Sequence, residues 1–218
     1  YILMIRVLKN EKNTIPYFSI KTRDLNLSWP NYKPSISLSL DQTKFCKKVL
    51  EDNGINLKKN RIVCLFNRDD TYLINQNKKK TSRKWDYVAH HKYNINRYAK
   101  VSEFLEKKNV YLFRMGKGAE ENCYIKNKMF VDYANSNFKS DLMDIYLANK
   151  CMFGMGGGTG SKSLALVFRK PFLHLIADIH EAITYKHDAL ILTKHYFSKK
   201  LKRNLKLKEI LNYSYGSL

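Results

Sequence analysis

The chain has 218 residues, 44% hydrophobic and 13% aromatic, a balance that excludes a disordered or low-complexity chain. Its formal charge of +21 points to an anionic partner, but the excess is dispersed lysine among abundant Asn, Ile and Tyr. No helix-turn-helix, zinc-finger or RNA-binding aromatic motif accompanies it, so nucleic acid is not an expected partner. No apolar run approaches the roughly 20 residues of a membrane span.

The four cysteines, Cys46, Cys64, Cys123 and Cys151, have no metal-ligand spacing. A reduced, cytoplasmic protein without a metal site is expected. Because the chain begins with Tyr1 rather than Met, it is expected to be a piece of a longer protein.

Residues 1–40 are punctuated by Pro16, Pro30 and Pro34 and read as irregular. "LDQTKFCKKVLEDNGI" predicts a helix with Asp41 as N-cap, Phe45, Val49 and Leu50 on one face, and Gly54 at its end. "RIVCLF" predicts a buried strand, ending in the polar "NRDD". Residues 71–93 form a long basic stretch holding Trp85 and the His90-His91 pair, whose histidines are expected to be idle. "NINRYAKVSEFLEKKN" predicts a helix with Tyr98, Val101, Phe104 and Leu105 on one face.

"VYLFRMG" and "KMFVDYA" predict two strands, the second weaker. "SDLMDIYLANK" predicts a helix capped by Ser140, with Asp141 and Asp144 in its first turn, where the helix dipole favours acids. "CMFGMG" is a strand entering the glycine loop. "SKSLALVFRK" and "PFLHLI" follow as helix and strand, with His174 a core histidine. The tail "HYFSKKLKRNLKLKEIL" spaces Phe197, Leu201 and Leu205 by four and predicts a basic amphipathic helix.

Apolar strands alternating with helices imply an α/β fold with a parallel sheet covered on both faces. Ligands of such sheets sit beyond the carboxyl ends of the strands. That edge would gather Asn67-Arg68-Asp69-Asp70, Arg114-Met115-Gly116, Asp132 and the 156–161 loop.

The loop, "GGGTGSKS", is one residue away from a nucleoside-triphosphate P-loop: counted from Gly156, the pattern needs glycine where Ser161 stands, followed by Lys162 and Ser163. It comes too late in the chain for that motif, and the acid that ends "FLHLIAD", Asp178, comes too soon after it. Glycines between a strand and a helix can instead present amides to a phosphate, with Thr159 and Ser161 adding hydroxyls. A tight turn with no ligand is the plain alternative. Arg68 and Arg114, each at a strand end, could fork onto a diphosphate or form structural ion pairs. Asp141 and Asp144, three apart on one face, are a weak catalytic carboxylate pair and common dipole partners, with a ribose-hydroxyl contact open to Asp144. The absence of a DxD motif leaves metal dependence unindicated.

"VCLFNRDDTYL", "VYLFRMG", "FVDYANSNFKSDLMDIYLANKCMFGMGGGTG" and "FRKPFLHL", in that order, resemble a family of bacterial glycosyltransferases from surface-polysaccharide gene clusters, over about residues 61–211. A more distant similarity is to GT-B fucosyltransferases. The resemblance implies a GT-B fold of two Rossmann-like halves, with this chain mostly the C-terminal, donor-binding half. Residues 1–58 would be a linker or remnant of the acceptor half carrying one helix, and 59–218 the nucleotide-sugar-binding domain with a basic C-terminal helix.

It also implies transfer of a hexosyl- or fucosyl-type sugar from a nucleotide-diphosphate sugar, as donor substrate and with no other cofactor, to a surface-polysaccharide or lipid-linked glycan, without a metal. By that likeness Arg68 would contact the diphosphate, and Gly158, Thr159, Gly160 and Ser161 would cradle it; Arg114 and Gly157 join them as donor-binding candidates from their place at the same edge. Asp144 and Asp141 would lie near the nucleotide. Asp70 is the candidate catalytic base. A lipid-linked acceptor and the basic tail together suggest a peripheral position on an anionic inner membrane surface. A non-catalytic nucleotide- or polysaccharide-binding module is the alternative from another class.

Overall fold

The computed structural model describes residues 33–68, 93–117, 119, 121–177 and 189–212. Helix α1 (Leu40–Asp52) begins with a reciprocal cap: the Gln42 amide donates to Ser39 Oγ at 3.1 Å, and the Ser39 amide donates to Gln42 Oε1 at 2.9 Å. The cap is therefore Ser39, and Asp41 lies inside the first turn. The buried face is Cys46 and Leu50, one turn apart, while Phe45 is exposed. Gly54, at φ 75°, follows the capping Asn53 in the left-handed conformation that glycine takes most cheaply.

Strand β1 (Arg61–Phe66) is buried from Ile62 onward. A short 3₁₀ turn (Ile95–Tyr98) leads into α2 (Ala99–Glu106), which buries Ser102 and Leu105. The expected Phe104 is exposed instead, because Ile95, Tyr98, Ser102 and Leu105 set the inward stripe. Strand β2 (Val110–Met115) is buried throughout, and the two-residue β3 (Phe130–Val131) follows.

Helix α3 (Asp141–Lys150) starts at Ser140, whose hydroxyl accepts the Met143 amide at 3.2 Å. Strand β4 (Phe153–Gly156) enters the glycine loop. A 3₁₀ turn (Gly160–Lys162) and α4 (Ser163–Val167) lead to β5 (Phe172–Ala177) and β6 (Ala189–Thr193), a strand the sequence reading lacked.

The six strands form one parallel sheet in the order β3-β2-β1-β4-β5-β6. This is an α/β, Rossmann-like sheet, as the alternation of strands and helices required. Its strand order reverses direction between β1 and β4, the point where open α/β sheets bind ligands. Phe66 pairs with Met115 on one side and Gly156 on the other, so the three carboxyl ends are level.

Alternation along β1 divides the core between the sheet faces. Ile62, Cys64 and Phe66 pack with α1 and α3 through Cys46, Leu50, Tyr146 and Leu147. Val63 and Leu65 pack with Ile95, Tyr98 and Leu105. Helix α1 thus shares a core with the sheet. Cys64 and Cys151 are buried free thiols, serving as small apolar side chains.

The tail is not the expected amphipathic helix. Strands β7 (Phe197–Ser198) and β8 (Arg203–Asn204) pair antiparallel as a hairpin, and only α5 (Leu207–Leu211) is helical. Among the described residues no helix is long and apolar enough to cross a membrane.

Candidate functional site

A cavity of about 490 Å³ opens beyond the carboxyl ends of β1 and β2, at the reversal of strand order. Asn67 and Arg68 enter it from β1; Met115, Gly116 and Lys117 come from β2. Thr159, Gly160, Ser161 and Leu164 form the wall after β4, and Lys139, Asp141 and Asp144 the wall at the start of α3. Of the residues selected from the sequence, Arg68, Asp141, Asp144, Thr159, Gly160 and Ser161 share this one space. Asp70, the candidate base, lies outside the described residues, as do Asp69, Trp85, His90, His91 and Asp178.

The loop geometry follows from close approach. Gly156 has φ 145°, and a Cβ there would run into the carbonyl of Phe66. The Gly157 amide donates to that same Phe66 oxygen at 3.3 Å, which pins the loop to the end of β1. Arg68 Nη1 then donates to the Gly158 carbonyl at 3.1 Å. Thr159 Oγ1 and Ser161 Oγ share a hydrogen bond of 3.1 Å. Among the described residues, the amides of Gly158, Gly160 and Ser161 engage no hydrogen bond. A cavity edged by a guanidinium, hydroxyls and unengaged amides is chemically suited to an anion.

The expected helix N-terminus contributes less than the sequence suggested. The glycines run into a 3₁₀ turn, and α4 has five residues. Its summed dipole is correspondingly small, so the groups suited to an anion are the loop amides and Arg68.

Of the two roles open to Arg114, diphosphate contact or structural ion pair, the geometry shows the ion pair. It is 1% exposed, with Nη1 3.4 Å from Asp132 Oδ2 and donating to the Glu121 carbonyl at 3.2 Å. Glu121 Oε2 lies 3.9 Å from Nη2. Asn135 closes the cluster by donating to Asp132 Oδ2 and to the Ala119 carbonyl. Arg114 therefore holds the β2–β3 connection against the sheet. It does not line the cavity itself, whose wall on this side is Met115, Gly116 and Lys117.

Asp144 is held by Lys139, whose Nζ donates to both carboxylate oxygens at 2.9 and 3.1 Å. Lys139 also lies over the Tyr133 ring at 5.4 Å. The Tyr133 hydroxyl donates to the Ser140 carbonyl and accepts from the Ser140 amide. Burial, then the neighbouring Asp144 carboxylate, pushes the Tyr133 phenol up, so it stays neutral. Lys139 and Lys117 were missed in the sequence. Lys139 carries a weak local signal, five positions before Asp144 and just ahead of the helix cap, while Lys117 carries none.

His174 on β5 is buried against Phe172, their rings 4.6 Å apart. Burial, then the nearby Lys162 charge, pushes it down to about 4. A core histidine was the expectation, and its neutral ring fits that place. Lys162, the lysine of the P-loop-like pattern, contributes to that lowering through its positive charge.

No protein-family model matches the chain, and no curated protein does. Among solved structures, the glycosyl transferase family 9 protein of Veillonella parvula DSM 2008 is similar with a TM-score of 0.50, at 12% identity over 82% of this chain and 47% of that one. ADP-heptose lps heptosyltransferase II of E. coli is similar with a TM-score of 0.49, at 9% identity over 73% of this chain and 45% of that one. The chain spans less than half the length of either. At such identity the likeness to the Veillonella parvula protein is one of fold, and it agrees with a single Rossmann-like half.

Proposed function

We propose that this chain is the donor-binding half of a GT-B glycosyltransferase, which moves a sugar from a nucleotide-diphosphate sugar to a surface-polysaccharide or lipid-linked glycan. The observation that carries this reading is the join between Arg68 and the glycine loop, at the edge of a cavity on the strand-order reversal. The half-length likeness to a glycosyl transferase of family 9 supports the fold behind it.

Breaking a sugar–diphosphate bond leaves negative charge on the departing nucleotide. Arg68, the amides of Gly158, Gly160 and Ser161, and the Thr159 and Ser161 hydroxyls would take up that charge without a metal. Asp141 and Asp144 would face the nucleotide's hydroxyls. Asp70, two residues beyond Arg68, is the proposed base. The transferred group is proposed as hexosyl or fucosyl, and a lipid-linked acceptor would bring the protein to a membrane surface.

Calorimetry with a panel of nucleoside diphosphates tests the reading. One base is expected to bind, and Arg68→Ala is expected to abolish most of that binding. If no diphosphate binds the chain, the proposal fails.

A further inference from the structure

We propose that the C-terminal hairpin and helix form a docking surface for an anionic lipid bilayer. The unit is held together from within. Arg203 forks onto Glu209 at 2.6 and 2.9 Å, and Glu209 also accepts the Lys206 amide at 2.7 Å. The hairpin and α5 are thereby locked to each other. Ile210 is buried and anchors α5.

Leu205 is half-buried, and four other large apolar side chains of the unit face outward. Phe197 on β7 is 62% exposed and Leu201, in the turn, 50% exposed. Leu207 and Leu211 lie one turn apart on the same face of α5 and are also exposed. A solvated hairpin has no use for four such side chains on so short a stretch.

Lysines are interleaved with them. Lys199, Lys200 and Lys202 surround Leu201 in the turn, and Lys206 and Lys208 flank Leu207. Glu209 is the one acid in residues 189–212, and Arg203 already occupies it. Bulky apolar groups among unneutralised cations complement a surface with negative headgroups above an apolar layer. A second protein copy would offer the same positive charge and be repelled. The surface differs in form from the amphipathic helix expected from the spacing of Phe197, Leu201 and Leu205, since a hairpin presents Phe197 and Leu201. The inference does not rest on the proposed transfer reaction.

The test is co-sedimentation of the whole chain with vesicles of phosphatidylcholine alone and of phosphatidylcholine with phosphatidylglycerol. Binding is expected only to the anionic vesicles, and raised salt should weaken it. Replacing Lys199, Lys200 and Lys202 with Glu should lower it by at least about tenfold. The double change Phe197→Ser with Leu201→Ser should lower it by a similar factor, about tenfold. Both variants should keep the parent's melting temperature and its nucleoside-diphosphate calorimetry, which separates this surface from the cavity. Failure to bind anionic vesicles would overturn the proposal, as would binding that survives the charge reversal. Self-association in sedimentation velocity that the Phe197/Leu201 change disperses would also overturn it, by assigning the face to a second copy.

Discussion

Arg68 and Gly158, 90 positions apart in sequence, are joined by a 3.1 Å hydrogen bond from guanidinium to carbonyl. The bond spans the reversal of strand order and couples the exit of β1 to the loop after β4. It orients a cation with donors to spare toward the cavity and steadies a loop made of glycines.

Arg68→Ala should therefore weaken nucleoside-diphosphate binding by about 10- to 100-fold, the scale of losing charge-assisted hydrogen bonds of roughly 1.5–3 kcal/mol. Arg68→Lys should recover only part of it, because an ammonium cannot hold the carbonyl and fork onto an oxyanion at once. Calorimetry on the folded variants measures both. Equal affinity in all three proteins would remove Arg68 from the site.

Gly156→Ala should destabilise the fold by about 2–4 kcal/mol, since it forces a side chain into a φ of 145° and against the Phe66 carbonyl. Gly160→Ala meets open space and should cost less than about 1 kcal/mol. Paired denaturant melts decide the contrast.

Arg114→Ala should cost about 3–5 kcal/mol, because it strands Asp132 and Glu121 without their cation. Its effect on nucleotide binding should track the loss of folded protein. A stable Arg114→Ala variant with impaired binding would return Arg114 to the site.

His174 gives a pH dependence with a definite sign. Its folded value of about 4 lies below the unfolded value of 6.5, so between those values the unfolded chain takes up a proton that the folded chain refuses. Stability should be full above pH 6.5 and fall toward pH 4 by up to about 3 kcal/mol. A His174→Gln variant should lack that component, and melting curves of both proteins across pH 4–7 test it.

Chelation should leave both diphosphate binding and transfer unchanged, because Arg68 and the loop amides are proposed to neutralise the leaving group. Loss of turnover in a chelator, restored by Mg²⁺ or Mn²⁺, would place a cation in the mechanism.

The edge of the sheet is legible in the sequence, but which of its two arginines lines the cavity is not. Both follow apolar residues. Arg114 lies inside its strand's run, between Phe113 and Met115, whereas Arg68 comes two residues after Phe66. That difference in register was readable. What it meant depended on Glu121 and Asp132 closing over Arg114, and those contacts lie 7 and 18 residues away. Helical spacing places Phe45 and Phe104 inward because several spacings fit a short helix; packing instead buries Cys46 in α1, and in α2 keeps the expected Leu105 while leaving Phe104 exposed. The tail's spacing of four was a true pattern, but over so few residues helix nucleation is costly, and the fork of Arg203 onto Glu209 favours a hairpin with one helical turn.

By itself the sequence determined the alternation of apolar strands and helices, and hence a parallel sheet with its polar loops gathered at the strands' carboxyl ends. Hydrophobic periodicity is local, and it survives without knowledge of the partners. Only the tertiary structure decided that Arg68 meets Gly158, that Arg114 is sealed under the β2–β3 connection, and that Lys139 holds Asp144. A charged side chain's role depends on which distant groups neutralise it, and the order of strands in the sheet sets those distances.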